Sequence, residues 1–105
     1  MSGLLRGRVV WFELPGAGRK PALVVSNNTR NRNLGSALAA RITTSDKPAI
    51  ASVVGLSPTD PLRGRVLCDD LIEVYHDEVV LDGGAVGPLT MRRVEAGLRH
   101  ALGLP

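Results

Sequence analysis

The 105-residue sequence has little cysteine, few aromatic residues and no long apolar run. Its one cysteine, Cys68, excludes an internal disulfide and a cluster of thiolate ligands, which favours a reducing, cytoplasmic compartment. No apolar stretch approaches the roughly 20 residues that a membrane-spanning helix needs. The segment Met1–Arg6 reaches a charge before the apolar part of a signal peptide could form. We therefore expect a cytoplasmic protein without a membrane anchor.

Histidine is also scarce, and the sequence lacks the spacings of known cofactor and metal sites. His76 borders an acidic stretch and His100 lies near the C-terminus, so we do not expect them to act as a catalytic acid–base pair. The segment Gly16–Pro21 lacks the GxxxxGK[ST] spacing of a phosphate-binding loop, and Pro21 removes a backbone N–H there. No arrangement of His, Cys and carboxylates resembles a metal site. We expect neither a metal nor a cofactor.

The net charge of +3 conceals an uneven distribution. Residues 1–47 carry eight basic and two acidic side chains, whereas residues 48–105 carry five basic and eight acidic ones. A basic half suits a polyanionic partner, because phosphate contacts dominate the affinity of proteins for nucleic acids. A solvated basic surface is the alternative that charge alone leaves open.

Short apolar runs between Gly, Pro and Asn clusters predict a mainly β fold in one domain, residues 1–105. The predicted strands are Arg8–Leu14, Ala22–Ser26, Ala37–Thr43, Ile50–Val54, Arg65–Cys68 and Leu71–Tyr75. A polar, basic segment, Asn27–Asn33, follows the second strand.

The C-terminal segment changes to helical periodicity, since Met91, Val94 and Leu98 fall on one helix face. Gly87 and Pro88 suit the start of this helix, and Gly103 suits its end. It is the only helix that the pattern supports. Short strands followed by one helix predict a small, partly open barrel with the helix packed on it.

Three groups of side chains could carry chemistry. A glycine-rich turn presents Arg19 and Lys20, whose cations suit phosphate. The hydroxyls of Thr43–Ser45 at a strand end could donate to phosphate oxygens, although a hydroxyl-rich loop is the simpler interpretation. Asp69 and Asp70 could accept hydrogen bonds from base amino groups, with turn capping or pairing to an arginine as the alternative.

The order of these segments resembles the MazF/PemK family of toxin endoribonucleases over nearly the whole chain. The resemblance rests on Arg6–Trp11, on Gly18–Asn27, which is similar to the family's RPxLVxS segment, on Ile42–Ser45 and on Pro88–Leu102. It implies an SH3-like barrel of the CcdB/PemK type with a C-terminal helix, and a homodimer. It also implies metal-independent cleavage of single-stranded RNA at short sequence motifs, and neutralisation by an acidic, MazE-like antitoxin.

In this family a catalytic arginine directly precedes the proline, and a threonine ends the third strand. The resemblance therefore implies catalytic roles for Lys20 and Thr43, although lysine in the arginine position is a departure. Arg19, one residue earlier, is a candidate for the missing guanidinium. The positions expected to bind RNA are Asn27, Thr44, Ser45, Lys47, Asp69 and Asp70.

The implied reaction is attack of a ribose 2′-hydroxyl on the adjacent phosphorus, which gives a 2′,3′-cyclic phosphate or 3′-phosphate and a 5′-hydroxyl. Whether the cleaved RNA is messenger, transfer or ribosomal stays open. Two other interpretations remain at this point: a gyrase-binding toxin similar to the CcdB family, and a barrel that binds RNA without cleaving it.

Overall fold

Residues 4–105, which the computed structural model describes, form six strands and two α-helices, with a 3-10 turn at His76–Glu78. In chain order the elements are β1 Arg8–Leu14, β2 Gly18–Val24, α1 Asn28–Leu34, β3 Ser36–Thr43, β4 Val53–Gly55, β5 Arg65–Tyr75, β6 Val79–Ala85 and α2 Pro88–Leu102. Met1–Gly3, part of the segment that argued against a signal peptide, lies outside the described residues. Within the described part, no helix is long and apolar enough to cross a membrane.

The strands form one antiparallel sheet in the order β4-β5-β3-β2-β1-β6. β4 and β6 are its two ends and are not paired with each other within residues 4–105, which corresponds to the partly open barrel expected from the sequence. The predicted mainly β fold with a C-terminal helix is confirmed.

Both faces of the sheet are buried, as the apolar alternation of β1 predicts. Val9 packs with Leu23 on the face that also contacts Val94 of α2. Val10, its neighbour, packs with Val24 on the opposite face. All five of these side chains are fully buried, so the central strands are fixed from two sides.

Helix α2 packs very closely on β5. A Cβ atom at Gly97 would lie 2.7 Å from the Sγ atom of Cys68, so this helix position needs glycine. Burial, with a smaller contribution from the negative charge of Asp69, raises the pKa of the Cys68 thiol to about 11. Cys68 therefore stays protonated at neutral pH and serves as a core residue. The predicted ends of the helix, with Gly87 before it and Gly103 after it, are confirmed.

The sequence prediction missed helix α1 because this helix has no apolar stripe. It lies within the polar segment that follows β2, and Asn31 is its one buried residue. The Asn31 side chain donates hydrogen bonds to the carbonyl oxygens of Leu4 and Ser26, at 2.8 and 3.1 Å. Tertiary hydrogen bonds, rather than hydrophobic burial, hold this helix in place.

Strand bounds also differ from the prediction at several places. β2 begins at Gly18 rather than Ala22, and β4 at Val53 rather than Ile50. The last two predicted strands are one strand, β5, with an irregularity between them. β6 was not predicted because Asp82-Gly83-Gly84 has low intrinsic strand propensity, and its pairing with β1 stabilises it instead.

Asp60 ties the loop before β5 to the start of α2. Its carboxylate accepts hydrogen bonds from the Gly87 N–H at 2.9 Å, the Thr90 hydroxyl at 2.6 Å and the Ser57 N–H at 2.7 Å. Because Gly87 has no side chain to cap the helix, Asp60 supplies the negative charge that a helix N-terminus favours.

We expect Asp60→Asn to lower the free energy of unfolding by about 1–2 kcal/mol at neutral pH. Burial alone would raise the pKa of Asp60, but the hydrogen bonds from Thr90, Gly87 and Ser57 and the charge of Arg93 outweigh it, so the pKa lies below the ordinary 3.8. A depressed folded-state pKa gives stabilisation that is full above 3.8 and is lost as the pH falls through the folded value. Urea unfolding at neutral and acidic pH measures the free energy of unfolding of the parent and of Asp60→Asn. The difference between the two proteins should become smaller at acidic pH.

The exposed Asp77 provides the control, since Asp77→Asn removes the same charge without these hydrogen bonds. An Asp60→Asn effect that equals the Asp77→Asn effect would contradict this role of Asp60.

Candidate functional site

A groove of about 500 Å³ lies where β2 begins and β3 ends, beside the loop that precedes β5. Its lining residues are Trp11, Arg19, Lys20, Pro21, Arg41, Ile42, Thr43, Thr44, Ser45, Lys47, Leu62, Arg63, Leu67 and Asp70. Four segments that are distant in sequence therefore meet at one surface.

The groove is strongly cationic. Five basic side chains and one carboxylate line it. Within residues 4–105 none of the five forms an ion pair, whereas Arg6, Arg8 and Arg30 elsewhere are each paired with a carboxylate. The unneutralised charge is therefore concentrated where an anion could bind.

Strand pairing brings Lys20 and Thr43 together. Ala22 of β2 lies opposite Arg41 of β3 in the antiparallel register. The pairing ends there, and Lys20 and Thr43 lie two residues beyond it on β2 and β3, on the same sheet face as Ala22 and Arg41 because side chains alternate. Both side chains line the groove.

The Thr43 hydroxyl is oriented by its own loop. The Ser45 N–H donates a hydrogen bond to the Thr43 Oγ1 atom at 3.1 Å. Since this oxygen accepts from the backbone, its proton can be donated to a group in the groove. Arg65 steadies the same loop by donating to the Ser45 carbonyl oxygen at 3.3 Å.

Seven of the predicted site residues line the groove and two do not. The two outside it are Asn27 and Asp69. Asn27 is at the start of α1, where its Oδ1 atom accepts a hydrogen bond from the Arg30 N–H at 2.8 Å, so its side chain has a capping role. Asp69 precedes Asp70 in β5 and is exposed, but only Asp70 lines the groove.

Sequence reasoning did not single out Arg41 and Arg63, the two further basic residues that line the groove. A charge inside the apolar run Ala39-Ala40-Arg41-Ile42 was the available signal for Arg41. Arg63 comes from an irregular loop, whose path no periodicity predicts. Trp11 is partly exposed beside Pro21, its partner in β2.

Gly64 lets the loop before β5 pass directly against the end of β3. Its φ is +133°, and a Cβ atom there would lie 2.6 Å from the Thr43 carbonyl oxygen. The backbone of Thr43 is therefore positioned by a contact that only glycine permits.

The chain matches a known protein family over nearly its whole length. The family model for PemK-like and MazF-like toxins of type II toxin–antitoxin systems matches residues 5–102. The chain belongs to the PemK/MazF family. The family interpretation of the sequence is thereby confirmed.

Named relatives of this PemK/MazF chain cover its full length. It is 42% identical over 105 residues to endoribonuclease MazF4 of Mycobacterium tuberculosis, covering 100% of this chain and 98% of that protein. A solved mycobacterial endoribonuclease in complex with its cognate antitoxin has a TM-score of 0.90 and 42% identity, with 96% of each chain covered. The MazE–MazF structure from Deinococcus radiodurans has a TM-score of 0.82 at 25% identity, again over 96% of each chain.

Residues 4–105 contain no group of three or more His, Cys, Asp or Glu side chains that could hold a metal ion.

We expect Gly64→Ala to destabilise the protein by at least about 2 kcal/mol, because it adds a steric clash to an unfavourable φ. Gly16→Ala is the matched control, since Gly16 also has a positive φ but has open space around it. Gly16→Ala should lower the free energy of unfolding by about 1 kcal/mol. Thermal unfolding gives the two values, and equal losses would contradict the clash with Thr43.

Proposed function

We propose that this chain is a metal-independent endoribonuclease toxin that cleaves single-stranded RNA in the cytoplasm. The observation that carries the proposal is that Lys20 and Thr43 line one groove, whose five basic side chains form no ion pair within residues 4–105. The curated relatives at 42% identity are named endoribonucleases, which supports the same activity here.

The chemistry of the groove suits a phosphodiester backbone. Its excess positive charge would bind phosphates and release their counterions. The partly exposed ring of Trp11 at the groove could stack on a base. Stacking needs a base whose face is free, which favours a single strand over a duplex.

The proposed reaction needs no outside nucleophile. The 2′-oxygen bonds to the adjacent phosphorus as its proton passes to solvent, and the bond from phosphorus to O5′ breaks as O5′ gains a proton. The products are a 2′,3′-cyclic phosphate, which water can open to a 3′-phosphate, and a 5′-hydroxyl. The protein's task is to align the reacting groups and to stabilise the added negative charge on the phosphorane.

Each of three groove residues would have a separate role in this reaction. The Lys20 ammonium, which lines the same groove as Thr43, would donate the proton that O5′ gains. The Thr43 hydroxyl would donate to a non-bridging oxygen, while Arg19 adds positive charge from the exposed turn.

Flanking nucleotides would contact the remaining groove residues. Thr44, Ser45 and Lys47 follow Thr43 and would hold neighbouring phosphates. The Asp70 carboxylate could accept hydrogen bonds from a base amino group and so contribute to the sequence preference.

An acidic, MazE-like antitoxin and a second copy of the chain are the proposed protein partners. The cationic groove is complementary to an acidic segment, and one similar solved structure is an endoribonuclease with its cognate antitoxin. Leu38 on β3 and Leu89 and Leu102 on α2 are exposed, and a homodimer would give such apolar surface a partner.

We expect light scattering of the purified chain to give twice the monomer mass of 11.1 kDa. A mass that stays at the monomer value at every accessible concentration would contradict the homodimer.

We expect the purified chain to cut a long single-stranded RNA into discrete fragments with 5′-hydroxyl ends in the presence of EDTA. Lys20→Ala and Thr43→Val should each slow cleavage by about 100-fold or more, because each removes a group that stabilises the transition state. Their unfolding temperatures should stay close to that of the parent, since both side chains are partly exposed.

Thr29→Val is the control for Thr43→Val, because Thr29 is exposed on α1, away from the groove. Cleavage at the parental rate by folded Lys20→Ala and Thr43→Val would refute the proposed site. Intact RNA with a salt-sensitive gel shift would instead indicate an RNA-binding barrel, and inhibited DNA supercoiling a gyrase-binding toxin.

A further inference from the structure

Arg41 has a buried donor without an acceptor. Its Nε atom is the one buried side-chain N or O atom without a hydrogen-bond partner in the part of the chain that the structure describes. Nearly all buried polar side-chain atoms in proteins have a partner. No acceptor from residues 4–105 therefore holds the Nε edge of this guanidinium, and its positive charge has no partner among them on that side.

The surroundings of Arg41 provide no counter-charge. Its strand partners, Ala22 on β2 and Leu67 on β5, are both apolar. Within residues 4–105 it forms no ion pair, not even with Asp70, the one carboxylate that lines the same groove. Withdrawing an unneutralised guanidinium from water is unfavourable, so an anion that binds here would be strongly favoured.

Arg41 is also held in a defined place. Its guanidinium carbon lies 5.7 Å from the centroid of the buried Phe12 ring. This cation–π contact favours one position for a side chain that would otherwise sample many rotamers. Arg19, by contrast, is exposed at the start of β2.

Strand geometry aligns Arg41 with the proposed catalytic pair. Arg41 and Thr43 are two residues apart on β3, so they share a sheet face. Arg41 lies opposite Ala22, two residues from Lys20 on β2. The three side chains therefore line one side of the groove, with Arg41 nearest the centre of the sheet.

We propose that Arg41 binds the scissile phosphate through its guanidinium and is a catalytic residue of this enzyme. The inference rests on the proposed nuclease function. It identifies Arg41 as the residue that supplies a guanidinium held in a defined position. The terminal N–H groups of the guanidinium form a planar fork that matches two non-bridging phosphate oxygens. Negative charge on these oxygens grows in the phosphorane, so the contact strengthens in the transition state and Lys20 is left for O5′.

The experiment compares Arg41→Gln and Arg41→Lys with Arg92→Gln. Arg92 is exposed on α2 outside the groove, so its replacement removes the same charge as Arg41→Gln. Single-turnover cleavage should fall by about 100-fold in both Arg41 variants and stay near the parental rate in Arg92→Gln. The fall in Arg41→Lys matters most, because lysine keeps the charge and loses the fork.

A binding measurement separates ground-state contact from catalysis. An RNA with 2′-deoxyribose at the scissile position cannot be cut, and Arg41→Gln should bind it several-fold more weakly than Arg92→Gln does. The loss in cleavage rate should exceed the loss in binding, because the phosphorane carries more charge than the ground state.

Chemical rescue distinguishes a phosphate contact from a structural role. Methylguanidinium should restore part of the activity of Arg41→Ala by filling the vacated space, and methylammonium at the same concentration should not. Rescue is not expected if Arg41 merely supports the fold.

Folded Arg41→Gln and Arg41→Lys that cleave at the parental rate would overturn the inference while leaving the nuclease proposal intact. Loss of activity in Arg41→Ala without rescue, together with a large fall in unfolding temperature, would also overturn it. If the parent itself leaves RNA intact, the nuclease proposal fails, and the binding comparison then decides on Arg41: equal binding by Arg41→Gln and Arg92→Gln overturns the phosphate contact.

Discussion

The antiparallel pairing of β2 with β3 is the constraint on which the site depends. Its register places Ala22 opposite Arg41, and Lys20 and Thr43 lie two residues further along β2 and β3. A shift of one residue would turn the side chains of one strand to the other face and separate these groups. The register is fixed from both sides, because Leu23 and Val24 are fully buried on opposite faces of the sheet.

A bulge in β5 completes the groove on the β5 side. Between Leu67, opposite Arg41, and Leu71, opposite Ala40, three residues of β5 have no partner on β3. This bulge lets Cys68 enter the core against Gly97 while Asp70 reaches the groove. The tight contact of α2 with β5 and the shape of the groove therefore depend on the same short segment.

The sequence predicted those parts that local pattern controls. The bounds of β1 follow from its apolar run, and the start and end of α2 follow from proline and glycine, whereas Lys20 and Thr43 are singled out as catalytic by the family resemblance. Helix α1 and strand β6 could not be predicted, because hydrogen bonds of Asn31 and pairing with β1 stabilise them against their own propensities. The capping role of Asn27 could not be predicted for the same reason, since its side chain caps a helix that the pattern does not reveal.

The basic side chains of the groove differ in how much they destabilise the folded protein. Arg19 and Lys47 are exposed, so water weakens the repulsion between their charges and salt largely screens it beyond about 10 Å. Arg41 is different, because its Nε atom is withdrawn from water and receives no acceptor from residues 4–105. If the groove required only positive charge, a further exposed lysine would provide it at a lower cost in stability. A directed, partly buried guanidinium is needed where geometry matters as well as charge, and a phosphate whose two oxygens must be held in line with an attacking hydroxyl meets that description.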